Sequence, residues 1–200
     1  MTKIKLCGLS RQCDIECANK LKPDYIGFIF WSKSKRYVSP EKAKKLKALL
    51  SPDIKAVGVF VDEPVENVAA LLDRNIIDIA QLHGNEDDEY ISRLRVLTGK
   101  PVIKAFLLKN SDDAARAEKS TADHILLDSG MGSGKGFDYS LLKEIDRPYF
   151  LAGGLYPENV AEAVKTLSPF AVDVSSGIET DNLKDRNKMT AFVKAVRKEI

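Results

Sequence analysis

Eight short apolar runs, at residues 4–7, 25–30, 56–61, 77–82, 102–106, 124–127, 149–152 and 171–174, punctuate a chain of 200 residues about once every 25. Each is too short for a helix and rich in Val, Ile and Phe, as strands are. Between them lie amphipathic stretches with their own start signals. In "SPEKAKKLKALL", Ser39 offers an N-cap and Pro40 a first helical residue, and Ala43, Leu46 and Leu50 share one face. "EPVENVAALLDRN" and "YPENVAEAVKTL" repeat the device: Pro64 and Pro157 open helices that turn Val68, Leu71 and Leu72, and Val160, Val164 and Leu167, inward. Strands alternating with helices imply right-handed crossovers and a parallel sheet. That sheet is either an open, doubly wound one or a closed barrel. Eight uninterrupted units are what the barrel requires. The expected fold is therefore a (β/α)8 (TIM) barrel with eight helices, occupying residues 1–200 as one domain.

Charge removes several classes of partner. Thirty-one basic residues against 29 acidic ones leave +2, far from the footprint of a nucleic-acid binder. The longest apolar runs, "YIGFIFW" and "AVGVFV", are too short to cross a bilayer, and "KIKLC" follows Met1 where a leader would carry basic and apolar regions. A cytoplasmic protein with neither nucleic-acid nor membrane partner is expected. Cys7, Cys13 and Cys17 are an odd, sparse set, read as reduced thiols. Cys13 and Cys17 stand at i, i+4, which reads as two small core-facing residues of one helix. With two His in the whole chain and no Cys/His cluster, no catalytic metal is expected.

In a barrel of this kind the chemistry collects where strands end, and the residues that follow the apolar runs are unusually polar. Cys7 ends the first, "WSKSKRYV" with Arg36 follows the second, and His83 opens "HGNE" after the fourth. Asp128 heads "DSGMGSGKG" after the sixth; "GGL" and "SSGIE" follow the seventh and eighth. Gly153 and Gly154 let the chain pass close to a ligand, while Ser175, Ser176 and Gly177 open a short helix, so that the two loops form a cradle of backbone N–H groups for a phosphate. Either loop alone is an ordinary turn; adjacent loops of this kind are a common phosphate site. "GMGSGKG" is not a P-loop, because Ser129 replaces its first Gly and Gly136 its Ser or Thr. It is a connection or a lid at 132–136.

Asp128, at the rim of the barrel, suits a proton donor or a turn cap. A thiol near its ordinary pKa is only a few per cent ionised at neutral pH, so as a base Cys7 needs a lowered pKa or a polarising neighbour. Closure of the barrel brings the eighth strand, with its cradle, beside that thiol. Arg36 suits a carboxylate or an aromatic ring, or belongs to a solvated basic loop. His83 is a polar ligand or closes a turn with Gly84, and His124, at the opposite end of its strand, is structural.

These stretches, "KLCGLS", "YIGFIFWSKSKRYVS", "GVFVDEP", "IAQLHGNE", "ILLDS", "LAGGLYPENV" and "VDVSSGIE", resemble the phosphoribosylanthranilate isomerase family in order along essentially the whole chain. The resemblance implies an Amadori rearrangement of N-(5-phosphoribosyl)anthranilate to 1-(2-carboxyphenylamino)-1-deoxyribulose 5-phosphate, a step of tryptophan biosynthesis, without cofactor. It implies Asp128 as the general acid at the ribose ring oxygen and Cys7 as the general base at C-2. Arg36 then holds the anthranilate, with Asp173 and His83 as further substrate contacts, and Gly153, Gly154, Ser175, Ser176 and Gly177 take the phosphate. The partner is this phosphorylated small molecule, and the protein a monomer or homodimer. The alternatives are another phosphate-binding barrel, either the histidine-pathway sugar-phosphate isomerase, which resembles a pair of carboxylates with Asp in place of Cys7, or a non-catalytic phosphate binder, which has no need of Cys7 and Asp128.

Overall fold

Eight parallel strands close on themselves in chain order: β1 (Lys3–Cys7), β2 (Tyr25–Ile29), β3 (Lys55–Phe60), β4 (Ile79–Leu82), β5 (Val102–Leu107), β6 (His124–Asp128), β7 (Tyr149–Ala152) and β8 (Ala171–Val174). The structure, a computed structural model, describes residues 1–128, 141–142 and 145–198. The ring is sealed by β8 against β1, with Lys5 in register with Asp173, and this excludes the open sheet. The helices are α1 (Gln12–Leu21), α2 (Pro40–Lys47), α3 (Val65–Asp73), α4 (Asp88–Thr98), α5 (Ser111–Lys119), α6 (Val160–Leu167) and α7 (Arg186–Lys198). Seven α-helices are thus present among the described residues, against eight expected. The stretch between β6 and β7 where a further helix is expected falls largely outside the described residues, as does the 132–136 loop.

The helix starts follow local chemistry. Ser39 caps α2 as expected, its hydroxyl accepting from the Lys42 amide at 3.2 Å with Pro40 next in line. Pro64 is itself the N-cap of α3. α6 starts at Val160, three residues later than Pro157 suggests. The cause is Asn159, whose Oδ1 accepts from the Tyr156 amide at 2.9 Å and whose Nδ2 donates to the Gly154 carbonyl at 3.0 Å, holding 154–159 as a tied turn. Of the two cysteines in α1, Cys17 is buried and Cys13 is exposed, because the inward stripe runs through Asp14, Ile15, Cys17 and Ala18. That corrects the pairing of the two thiols as core residues.

Strand residues alternate between two cores. Ile4, Leu6, Ile26 and Phe28 point outward under the helices, where the main apolar cluster lies. Tyr25, Val57, Ile79, Ile103, Leu126, Phe150 and Ala171 fill the barrel's interior. Period-two alternation then sends Cys7, Ile29, Val59, Gln81, Asp128, Ala152 and Asp173 the same way, toward the mouth at the C-terminal ends of the strands. His124 sits in the floor, stacked on Phe170 with ring centroids 5.2 Å apart and edge-on to Phe150, the structural place expected for it. Beyond β8 come a 3-10 turn at Ser176–Ile178 and a two-stranded hairpin, β9 (Glu179–Thr180) and β10 (Leu183–Lys184), reversed by Asp181 and Asn182 at φ of 52° and 62°. No helix among the described residues is long and apolar enough to cross a membrane.

Candidate active site

A cavity of about 320 Å³ opens at the mouth of the barrel. Its walls include Cys7, His83, Asp128, Gly153, Gly154, Asp173, Ser175 and Ser176, gathering eight of the ten expected site residues from five strand ends. Arg36 and Gly177 are the two that do not line it. Ile29, Trp31, Val59 and Val61 make one side apolar, and the Gly153–Gly154 and Ser175–Ser176 loops make another polar.

The two loops of the polar side are locked together. A Cβ on Gly177 would lie 1.9 Å from the Leu155 carbonyl oxygen, so Gly alone lets the loop after β8 meet the loop after β7. Gly153 and Gly154 take φ of 89° and 60°, the left-handed region that glycine enters without strain. The Ser175 hydroxyl donates to the Cys7 carbonyl at 3.2 Å, which ties the loop after β8 to the end of β1.

Cys7 is buried, and burial pushes its thiol up from the ordinary range, with Lys5 and Lys184 pulling the other way. A lowered pKa is therefore not what the site supplies; the polarising neighbour is. Lys5, two residues earlier on the same inward face, is wholly buried and places Nζ 3.0 Å from each carboxylate oxygen of Asp173. Room for the sulfur comes from β2, where Gly27 faces it.

Across the mouth, His83 Nε2 lies 3.8 Å from Asp128 Oδ2. Burial pushes the imidazole pKa down, against the pull of Asp128, so the ring is neutral at pH 7. Gln81 Nε2 stands 3.1 Å from Nδ1 of this ring, and Nε2 is the ring nitrogen that faces Asp128. Gln81 is 1% exposed and lines the cavity, yet its Oε1 has no hydrogen-bond partner among the described residues.

Arg36 is engaged by Glu179, a residue the sequence did not mark. Nε and Nη2 donate to the two carboxylate oxygens at 2.6 Å each, and Lys184 Nζ reaches the same carboxylate at 2.5 Å and the Ser175 carbonyl at 2.9 Å. Burial opposes the Glu179 charge, but the bonds from Arg36 and Lys184 win and hold its pKa below the ordinary carboxylate range. Lys184 is likewise missed from sequence, since nothing in a two-residue strand 148 positions along the chain from Arg36 announces the contact. Among the described residues no group of three or more His, Cys, Asp or Glu is placed to hold a metal ion.

A thiol and a carboxyl set on separate strands around one polar-ended cavity, with the histidine kept neutral, suit the movement of protons on a small substrate, and a closed parallel barrel arranged this way falls in the class of barrel isomerases. Comparison with known proteins narrows the class. Residues 4–195 match the model of the N-(5'phosphoribosyl)anthranilate (PRA) isomerase family. The N-(5'-phosphoribosyl)anthranilate isomerase of Endomicrobium trichonymphae is 46% identical over 98% of this chain and 99% of its own length. Crystallised monomers generated from the dimeric phosphoribosylanthranilate isomerase of Thermotoga maritima superpose with a TM-score of 0.88 at 36% identity, over 99% of this chain and all of that one. A phosphoribosyl anthranilate isomerase in complex with reduced 1-(o-carboxyphenylamino)-1-deoxyribulose 5-phosphate gives 0.87 at 35% identity, over 99% of this chain and all of that one. The chain belongs to the N-(5'-phosphoribosyl)anthranilate isomerase family. It is an isomerase of tryptophan biosynthesis, converting N-(5-phosphoribosyl)anthranilate to 1-(2-carboxyphenylamino)-1-deoxyribulose 5-phosphate by an Amadori rearrangement.

Proposed function

We propose that Asp128 and Cys7 divide the two proton transfers of this isomerisation. The observation that carries the reading is that both side chains line one cavity, from β6 and β1, with an apolar wall to one side and a Gly/Ser wall to the other. Asp128 gives its proton to the ribose ring oxygen as the C-1 to oxygen bond breaks and the anilino nitrogen forms an iminium with C-1. Cys7, as thiolate, then removes the proton at C-2, and the electrons of that bond move into a C-1 to C-2 double bond that neutralises the iminium. The enaminol tautomerises, C-1 gaining a proton as the C-2 hydroxyl loses one. Cys7 returns its proton to water and Asp128 takes one back. Each positioned acid or base contributes about 10²–10⁴-fold.

The phosphate lies against Gly153, Gly154, Ser175 and Ser176, with Gly177 keeping the two loops in contact. The anthranilate ring lies against Ile29, Trp31, Val59 and Val61. Arg36, its Nε and Nη2 edge committed to Glu179, offers that ring the face of the guanidinium, a favourable aromatic partner. Asp173 and Gln81 border the sugar, and the unpartnered Oε1 of Gln81 accepts one of its hydroxyls. His83, neutral and donating from Nε2, steadies the Asp128 carboxylate after it has given up its proton. The protein acts as a monomer or homodimer.

The test is a fluorescence assay following loss of phosphoribosylanthranilate with Cys7→Ser and Asp128→Asn. Both are expected to lower kcat by about 10²-fold or more while the circular dichroism spectrum is kept. Near-normal kcat in Cys7→Ser removes the thiol from the reaction. A raised KM with unchanged kcat in Asp128→Asn makes that residue a binding group instead.

A further inference from the structure

The largest wholly buried side chain among the described residues is a lysine. Lys5 stands in the barrel interior with no exposure at all, and Asp173, 9% exposed, binds its ammonium through both oxygens. Taking two charges out of water is expensive, and a well-packed apolar pair is usually as stable or more so, so stability alone does not explain such a pair. Its placement does. Period-two geometry puts Lys5 and Cys7 on one face of β1, and the charge of the lysine favours the ionised sulfur. An ammonium has three protons to donate, and two bonds go to Asp173, which leaves one uncommitted.

We propose that Lys5 is the positioning residue that lets Cys7 ionise: anchored by Asp173, its ammonium lies against Sγ and holds the thiolate that takes the C-2 proton. The proposal rests on Cys7 being the base. The resting thiol loses its proton to water, the thiolate takes the proton from C-2 and becomes a thiol again, and Lys5 keeps all three of its protons throughout. Burial works against the Lys5 charge, but Asp173 and the Cys7 sulfur lift its pKa above the ordinary lysine value, so it is an ammonium at pH 7. Burial likewise works against the thiolate, and Lys5 is the charge that opposes this most. The other charged groups acting on the sulfur are Asp173 from β8, Lys184 from β10 and Arg36 from the segment after β2. His83 from β4, neutral, faces Lys5 and Asp173, and β2 itself presents only Gly27.

The experiment reads Cys7 directly. In protein labelled with ¹³C at cysteine Cβ, with the Cys7 resonance assigned by its loss in Cys7→Ser, the pH titration of that resonance is followed in the parent, in Lys5→Arg and in the double variant Lys5→Met/Asp173→Asn. The double variant leaves no uncompensated buried charge, so it folds where Lys5→Met alone strands a carboxylate. Its Cys7 midpoint is expected to rise by about one pH unit or more, or to leave the accessible range, while Lys5→Arg stays near the parent. At pH 7 its kcat falls by about 10-fold or more, and the deficit narrows as pH is raised. A purely structural role gives a deficit that is the same at every pH. The proposal is overturned if the double variant and the parent share one Cys7 titration, whether a midpoint or none, or if the variant's midpoint falls. The outcome is separate from the role of Cys7 itself: full activity in Cys7→Ser refutes the base but leaves the titration readable.

Discussion

Gly27 faces Cys7 across the β1–β2 seam so closely that a Cβ on the glycine would stand 2.6 Å from Sγ and 3.1 Å from the Cys7 Cα. The sulfur occupies the space a side chain on β2 would take. Gly27→Ala is therefore expected to displace the thiol and lower kcat by about 10²-fold, the scale of a displacement of about 1 Å at a reacting atom. Overpacking costs about 1–3 kcal/mol of stability as well. KM, set by the two ends of the substrate, changes little. Unchanged kcat in a folded Gly27→Ala protein refutes this account of the seam.

Arg36→Ala is expected to weaken binding of the carboxyphenylamino deoxyribulose phosphate product by about 2- to 30-fold, from about 0.5–2 kcal/mol of cation–π contact. Ribulose 5-phosphate, which lacks the aromatic end, binds the variant and the parent almost equally. Glu179→Gln loosens the same guanidinium without removing it and gives a smaller loss confined to the same ligand. Isothermal calorimetry with the two ligands measures both, and equal weakening of both ligands assigns Arg36 to the phosphate or to the loop's own structure.

Gly177→Ala forces a methyl group into the Leu155 carbonyl and parts the two loops of the polar wall. Inhibition by inorganic phosphate is expected to weaken in Gly177→Ala and in Gly154→Val, whose φ of 60° also strains a branched residue. Competition assays against phosphoribosylanthranilate give the inhibition constants. Unaltered phosphate inhibition in both folded variants removes these loops from the phosphate.

His83 carries a pH dependence of stability. Burial holds its folded pKa below the ordinary histidine value of 6.5, so below about that pH the unfolded chain binds the proton that the folded one refuses. Stability therefore falls as pH drops from 7 toward 5. Urea unfolding of the parent and of His83→Gln at those two pH values is expected to show a smaller fall in the variant, with His124, also pushed down by burial, keeping its own share. An equal fall in both proteins means that His83 is protonated as easily folded as unfolded.

The eight runs were legible because most of the strands carry apolar residues on both faces, as a parallel barrel requires. The rim was legible because polar residues follow those runs at once. Lys5 was not. In "KIKLC" the lysines read as the solvent side of a half-buried strand, whereas in a closed barrel the side away from the helices is the interior. Glu179 and Lys184 escaped because the hairpin that carries them has two residues per strand and its partner Arg36 lies 143 positions from Glu179. Cys13 was misread because i, i+4 spacing puts two residues on one helix face without saying where that face ends.

The alternation along β1 has a consequence for inheritance. Deleting or inserting one residue in this strand exchanges its two faces, sending Ile4 and Leu6 into the mouth and Lys5 and Cys7 under the helices, so the strand admits no change of length. Substitution meets no such barrier. The inward rim positions, such as Ile29, Val59 and Ala152, touch the cavity but not the packing between barrel and helices, and the outward positions do the reverse. A lineage descended from this barrel is thus free to rewrite which ligand it accepts one inward residue at a time while the shell that keeps it folded stays as it is.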